Sequence, residues 1–63
     1  MNLIVKGDDP DTRVLKTLAK LSGARAIEQI TPASFRLVDA SPAEGIAELC
    51  AQQGLDWSFV EAG

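Results

Sequence analysis

The sequence predicts an α+β fold: a four-stranded antiparallel sheet with two helices on one face, in the order β-α-β-β-α-β. Three observations carry that expectation. Residues Phe35 to Val60 read as strand, helix, strand. The first half of the chain repeats the same unit, with Leu3-Ile4-Val5 lying over Leu37-Val38, Asp9-Pro10 over Ser41-Pro42, Leu18 over Cys50 and Gly23 over Gly54. The length of 63 residues suits a single small domain, residues 1–63, with 61–63 as a tail or the start of a linker.

Each element follows from local chemistry. Leu3-Ile4-Val5, within Asn2–Lys6, is a run of β-prone residues. Gly7-Asp8-Asp9-Pro10 is a turn. Asp9 is the expected N-cap of the first helix, with Pro10 at its first position and Asp11 in its first turn, where the dipole favours negative charge. Val14, Leu15, Leu18 and Leu21 form one apolar stripe, and Gly23 ends the helix near Ser22. Arg25 to Thr31 is the second strand. Its Ile27 and Ile30 are three apart, which breaks alternation and predicts a bulge or a twisted edge. Thr31-Pro32-Ala33-Ser34 then turns a hairpin into the strand Phe35-Arg36-Leu37-Val38.

The second helix carries the signature of a capping box. Ser41 and Glu44 are expected to satisfy one another's amides, with Pro42 at the first helical position. Ile46, Ala47, Leu49 and Cys50 line its apolar face, and Gly54 stops it. Trp57-Ser58-Phe59-Val60 is the last strand. Right-handed crossovers then give the split βαβ, or ferredoxin-like, sandwich.

Alternation assigns the sheet faces. Leu3, Val5, Ile27, Phe35, Leu37, Trp57 and Phe59 turn toward the helices. Ile4, Lys6, Ile30, Arg36, Val38, Ser58 and Val60 fall on the open face. A sheet with one solvated face alternates more cleanly than this, so Ile4, Lys6, Arg36, Val38 and Val60 are the expected interface residues.

Composition narrows the function. Nine acids against six bases give a net charge of −3, and the bases form no run, which argues against nucleic acid. Arg13, Lys16 and Lys20 lie on one face of the first helix, as a solvated face does. There is no histidine and no tyrosine, which excludes a histidine-based triad or a histidine-ligated zinc. The single Cys50 lies on an apolar helix face and is expected to pack as a small hydrophobe. No apolar run approaches the ~20 residues of a membrane span, so the expected location is the cytoplasm. Asp8, Asp9 and Asp11 are the only carboxylate cluster. A hard-cation site is one reading of it, and helix capping is the other, so no metal site is assigned. The Gly7, Asp8, Asp9 turn before a helix offers amides to a carboxylate, and its acids suit the ammonium of a zwitterion.

A resemblance sharpens these expectations. The order β-α-β-β-α-β with a Gly-Asp turn before the first helix looks like an ACT-type regulatory domain. More closely, Met1–Val5, Gly23–Glu28, Phe35–Ala40 and Leu55–Val60 resemble the N-terminal segment of proteobacterial phosphoserine phosphatases. In that family the segment precedes a magnesium-dependent, haloacid-dehalogenase-type hydrolase domain that completes L-serine synthesis. The resemblance implies a non-catalytic regulatory or interaction domain with no cofactor of its own, the magnesium belonging to the catalytic domain. Its implied partners are its own catalytic domain, a second copy in a homodimer, or a small amino acid. The family's ligand site lies at the first strand-to-helix turn, here Gly7, Asp8 and Asp9. The Gly-Leu pair common after that turn is replaced here by Asp11-Thr12-Arg13. The alternative function is amino-acid, serine, sensing at that turn.

Overall fold

The computed structural model describes residues 1–8 and 10–61. Its elements are β1 (Asn2–Lys6), α1 (Thr12–Ser22), β2 (Ala26–Thr31), β3 (Ser34–Val38), α2 (Ile46–Gln53) and β4 (Asp56–Val60). The four strands form one antiparallel sheet in the order β2-β3-β1-β4, the βαββαβ, ferredoxin-like arrangement expected from sequence.

One core lies between sheet and helices. Leu3, Val5 and Leu37 from the two central strands meet Leu15 and Leu18 of α1 and Ile46 and Cys50 of α2. Leu3 pairs with Leu37 on one side and Phe59 on the other, and Val5 pairs with Phe35 and Trp57. Cross-strand partners share a face, so this register places Ile27, Phe35, Trp57 and Phe59 on the helix side as alternation predicts. Both edge strands reach beyond the helix layer. Ile27 on β2 and Trp57 on β4 remain 38% and 41% exposed.

The β2–β3 hairpin shows why the Ile27–Ile30 spacing is irregular. Thr31 pairs with Ser34, which leaves Pro32 and Ala33 as the loop. The two-residue turns that match strand twist need positive φ at the first loop residue, and proline cannot supply it. The register is instead interrupted between Gln29 and Thr31, next to the turn. Ile30 therefore has no cross-strand partner, and pairing does not assign it to the open face on which alternation put it. Side chains fasten the turn: Thr31 Oγ1 lies 2.7 Å from Ser34 Oγ and accepts from the Ala33 amide.

Both helices end as expected and begin elsewhere. Gly23 and Gly54 close α1 and α2 in left-handed conformation. The amides of Ala24 and Leu55 then reach back to Ala19 and Cys50, so the internal repeat extends to matching hydrogen bonds. At the start of α1 the cap is Asp11, whose carboxylate accepts from the Arg13 amide at 2.9 Å. Asp11 is thus the cap rather than a first-turn acid, and Pro10 precedes the helix. The expected cap, Asp9, lies outside the described residues.

The capping box at Ser41 does not form. The helix α2 starts at Ile46, with Gly45 at its N-cap and no side-chain cap bond. Gly45 has φ 91°, a conformation that interrupts any helix running in from Pro42. The Ser41 amide donates to the Ser22 carbonyl at 2.8 Å, which ties this segment to the end of α1. Two face assignments change as well. Ala47 is exposed, leaving Ile46, Leu49 and Cys50 as the inward residues of α2. Leu21 is exposed, and Ser22 takes the buried place in α1, its hydroxyl donating to the Leu18 carbonyl.

Candidate functional site

Two regions carry the sequence-predicted site residues: the turn after β1 and the open face of the sheet. The turn sits at one end of the sheet, where β1 ends, the β2–β3 hairpin turns and α2 gives way to β4. These three segments enclose an open cleft of about 490 Å³ lined by Lys6, Gly7, Asp8, Thr31, Ser34 and Asp56, with Ala33 and Gly54 completing it. Gly7 and Asp8 therefore line a concave site; Asp9 lies outside the described residues. Lys6 and Asp56 stand opposite one another across the β1–β4 pair, and among the described residues the charged lining of the cleft is Lys6, Asp8 and Asp56.

The backbone of this turn is less available than the sequence implies. The Gly7 amide donates to the Ala33 carbonyl at 2.9 Å, so it is not free for an anionic ligand. Gly7 is also held by packing. A Cβ there would overlap Cδ2 of Leu55, a residue of the core cluster. The glycine is thus explained by the close approach of β1's end to the α2–β4 turn. Of the first amides of α1, that of Arg13 is taken by the Asp11 carboxylate. As for a cation, no three metal-ligating side chains gather among the described residues, and Asp8 and Asp11 have no third partner there.

The open face is a mixed surface with a defined grid. Ile4 sits between Arg36 and Ser58, Val38 pairs with Ala26, Asn2 with Val60, and Lys6 lies between Ser34 and Asp56. Ile4 and Val38 are half-buried and Val60 is 41% exposed. Arg36 reaches Glu28 across the β2–β3 pair at 3.4 Å, with both side chains largely solvated. The aliphatics are concentrated toward the end of the sheet away from the cleft. That end is closed by an ion pair of Arg25 with Asp39 at 2.7 Å, and by the Asp39 amide donating to Asn2 Oδ1. All five expected interface residues, Ile4, Lys6, Arg36, Val38 and Val60, lie on this face, with Lys6 shared with the cleft.

Sequence reasoning missed Asp56, Thr31 and Ser34 as cleft residues. They are distant along the chain, and only the strand register and the hairpin geometry bring them to Gly7. Cys50 is fully buried, and burial pushes its thiol above its ordinary range, so it is a core residue with no access to either region.

A family model matches residues 3–46, most of the 63-residue chain. The chain belongs to the family described as domain of unknown function DUF4072. The DUF4072 match runs from β1 to the first residue of α2. It therefore contains the Gly7 turn, the hairpin and the Ile4, Arg36 and Val38 part of the open face, while Gly54, Asp56 and Val60 lie beyond it. No curated protein and no solved structure matches the chain. No helix among the described residues is long and apolar enough to cross a membrane.

Proposed function

We propose that this chain is a non-catalytic regulatory and docking domain of a cytoplasmic phosphoserine phosphatase, acting in L-serine biosynthesis. The observation that carries the docking role is the open face, where Ile4, Val38 and Val60 share a surface that no described helix covers. The link to the phosphatase rests on the sequence resemblance alone. The occupant favoured for the face is the catalytic domain of the same polypeptide. Four strands about 4.8 Å apart, of five or six residues at about 3.3 Å each, present on the order of 300 Å² of projected area. Counting both partners, that is well below the roughly 1,200 Å² of a stable interface between free proteins. A covalent tether makes such a small contact effective by raising the local concentration of the two surfaces.

The test is an amide-resolved titration of this chain with the separate catalytic domain. The expected result is a set of shifts at Ile4, Arg36, Val38 and Val60 that Val38→Asp abolishes while the fold is kept. Absence of shifts on this face removes the docking role, and unfolding of the Val38→Asp variant makes Val38 a core residue instead.

A second reading is sensing of an amino acid, L-serine, in the cleft at Gly7 and Asp8. It is favoured by the concave site and by its mixed charges, which suit a zwitterion. It is weakened by the Gly7 amide, already bonded to Ala33. Titration with L-serine discriminates: saturable shifts at Gly7, Asp8 and Asp56 support sensing, and silence there leaves docking alone.

A further inference from the structure

The segment between β3 and α2 contains a helix start that the fold leaves unused. Ser41, Pro42 and Glu44 hold the positions of a capping box. Yet α2 begins at Ile46, behind Gly45, and among the described residues no side-chain bond caps it. Two features keep the helix short. Gly45 is left-handed, with φ 91°, and the Ser41 amide donates to the Ser22 carbonyl at 2.8 Å. Both can be exchanged without loss. Glycine adopts right-handed and left-handed backbone about equally well. In a capping box the Glu44 carboxylate takes the same Ser41 amide that Ser22 takes here, so that donor keeps a partner. The internal repeat points the same way: α1 begins at Thr12, just past Pro10 and Asp11, whereas α2 waits until Ile46, a full turn past its matching Pro42.

We propose that residues 42–45 are a two-state element: α2 exchanges between the short helix of this structure, Ile46–Gln53, and a longer one that begins at Pro42 and is capped by Ser41. The long form adds one turn and releases the Ser22 carbonyl. The turn forms beside the end of α1, because Gly45 lies there: a Cβ on Gly45 would stand 3.7 Å from Leu21 Cδ1. Helical spacing puts Pro42 and Ala43 on the same stripe as Ile46, Leu49 and Cys50, the inward residues of α2. The two forms therefore differ at this corner of the molecule. The short form leaves Leu21 41% exposed and the Ser22 carbonyl bonded to Ser41. The long form lays an apolar turn along the end of α1 and gives that carbonyl to solvent. A long-range hydrogen bond is exchanged for a local one plus a turn of helix, which is how one sequence supports both. The proposal depends neither on the docking reading nor on the phosphatase.

Gly45→Ala tests the exchange, because it acts through the backbone. The added methyl meets Leu21 at ordinary contact distance, so packing does not refuse it. Alanine opposes the left-handed conformation of the short form and favours a helix interior, which together shift the balance toward the long form by about tenfold to a hundredfold. Backbone chemical shifts are the readout. Gly45→Ala is expected to turn Pro42, Ala43 and Glu44 helical. Adding Ser41→Ala removes the cap and is expected to move the ratio of the two forms back by about fivefold. Gly45→D-Ala, made by chemical synthesis, favours the left-handed conformation and is expected to keep these shifts as in the wild type. A Gly45→Ala chain whose residues 42–44 stay non-helical overturns the proposal. So does a Gly45→Ala chain that fails to fold, because the long form is then not a folded state of this protein. A helical 42–44 that Ser41→Ala leaves untouched overturns the assignment of Ser41 as its cap.

Discussion

Gly7 illustrates how one residue serves packing where the sequence offers a binding turn. Its missing side chain admits Leu55, and its amide closes the contact between β1 and the hairpin. Gly7→Ala therefore forces a buried leucine from its place. The expected cost is about 1–3 kcal/mol, as for other insertions into a packed core, read from urea unfolding; an unchanged midpoint removes the packing account. Cys50 makes a different statement at the same scale. Burial raises its thiol pKa above the ordinary 9.0, so the folded chain holds that proton more tightly than the unfolded one. The associated stability is fully present below pH 9.0 and is lost as pH rises past it. The stability difference between wild type and Cys50→Ala is thus expected to be constant near neutrality and to shrink as pH rises above 9.0, where the unfolded thiol ionises and the buried one does not. A constant difference across that range means that the thiol does not ionise on unfolding.

The ends of the helices divide into those that sequence reveals and those it does not. The C-terminal stops at Gly23 and Gly54 are legible because a left-handed cap has one preferred residue and needs no distant partner. The N-terminal starts are not, because several residues in each turn qualify. Asp9 and Asp11 both suit a cap, and the cap observed is Asp11. Ser41-Pro42-Ala43-Glu44 meets every local requirement of a capping box, yet a long-range bond from the Ser41 amide to Ser22 holds it outside the helix. The expected consequence separates the two sites. Asp11→Ala costs about 1 kcal/mol through the lost cap, and Ser41→Ala costs nothing measurable. Thermal melts of the two variants check this, and equal losses would restore a helix beginning at Ser41. The same contrast applies to the candidate site. Gly7 and Asp8 are visible as a turn, and Ile4, Val38 and Val60 as breaks in alternation. Asp56 and Ser34 join the cleft only through pairing across the sheet.

At the scale of the whole molecule, a chain this short has little stability to lose. At about 0.05–0.15 kcal/mol per residue, 63 residues give roughly 3–9 kcal/mol. The core that supplies it is a single cluster, and Leu18 is among its fully buried side chains, matched across the internal repeat by the equally buried Cys50. Leu18 from one helix and Cys50 from the other thus belong to one buried cluster with Leu3, Val5 and Leu37 of the central strands. Leu18→Ala leaves a cavity between both helices and the sheet, and the expected loss is about 2–5 kcal/mol. That is a large share of the total, so a substantial population of the variant is unfolded at 25 °C or slightly above. Circular dichroism against temperature reads this directly. A variant that melts like the wild type means instead that Leu18 is not central to the core, and that the pairing of the two repeats around it is not what holds the sheet to its helices.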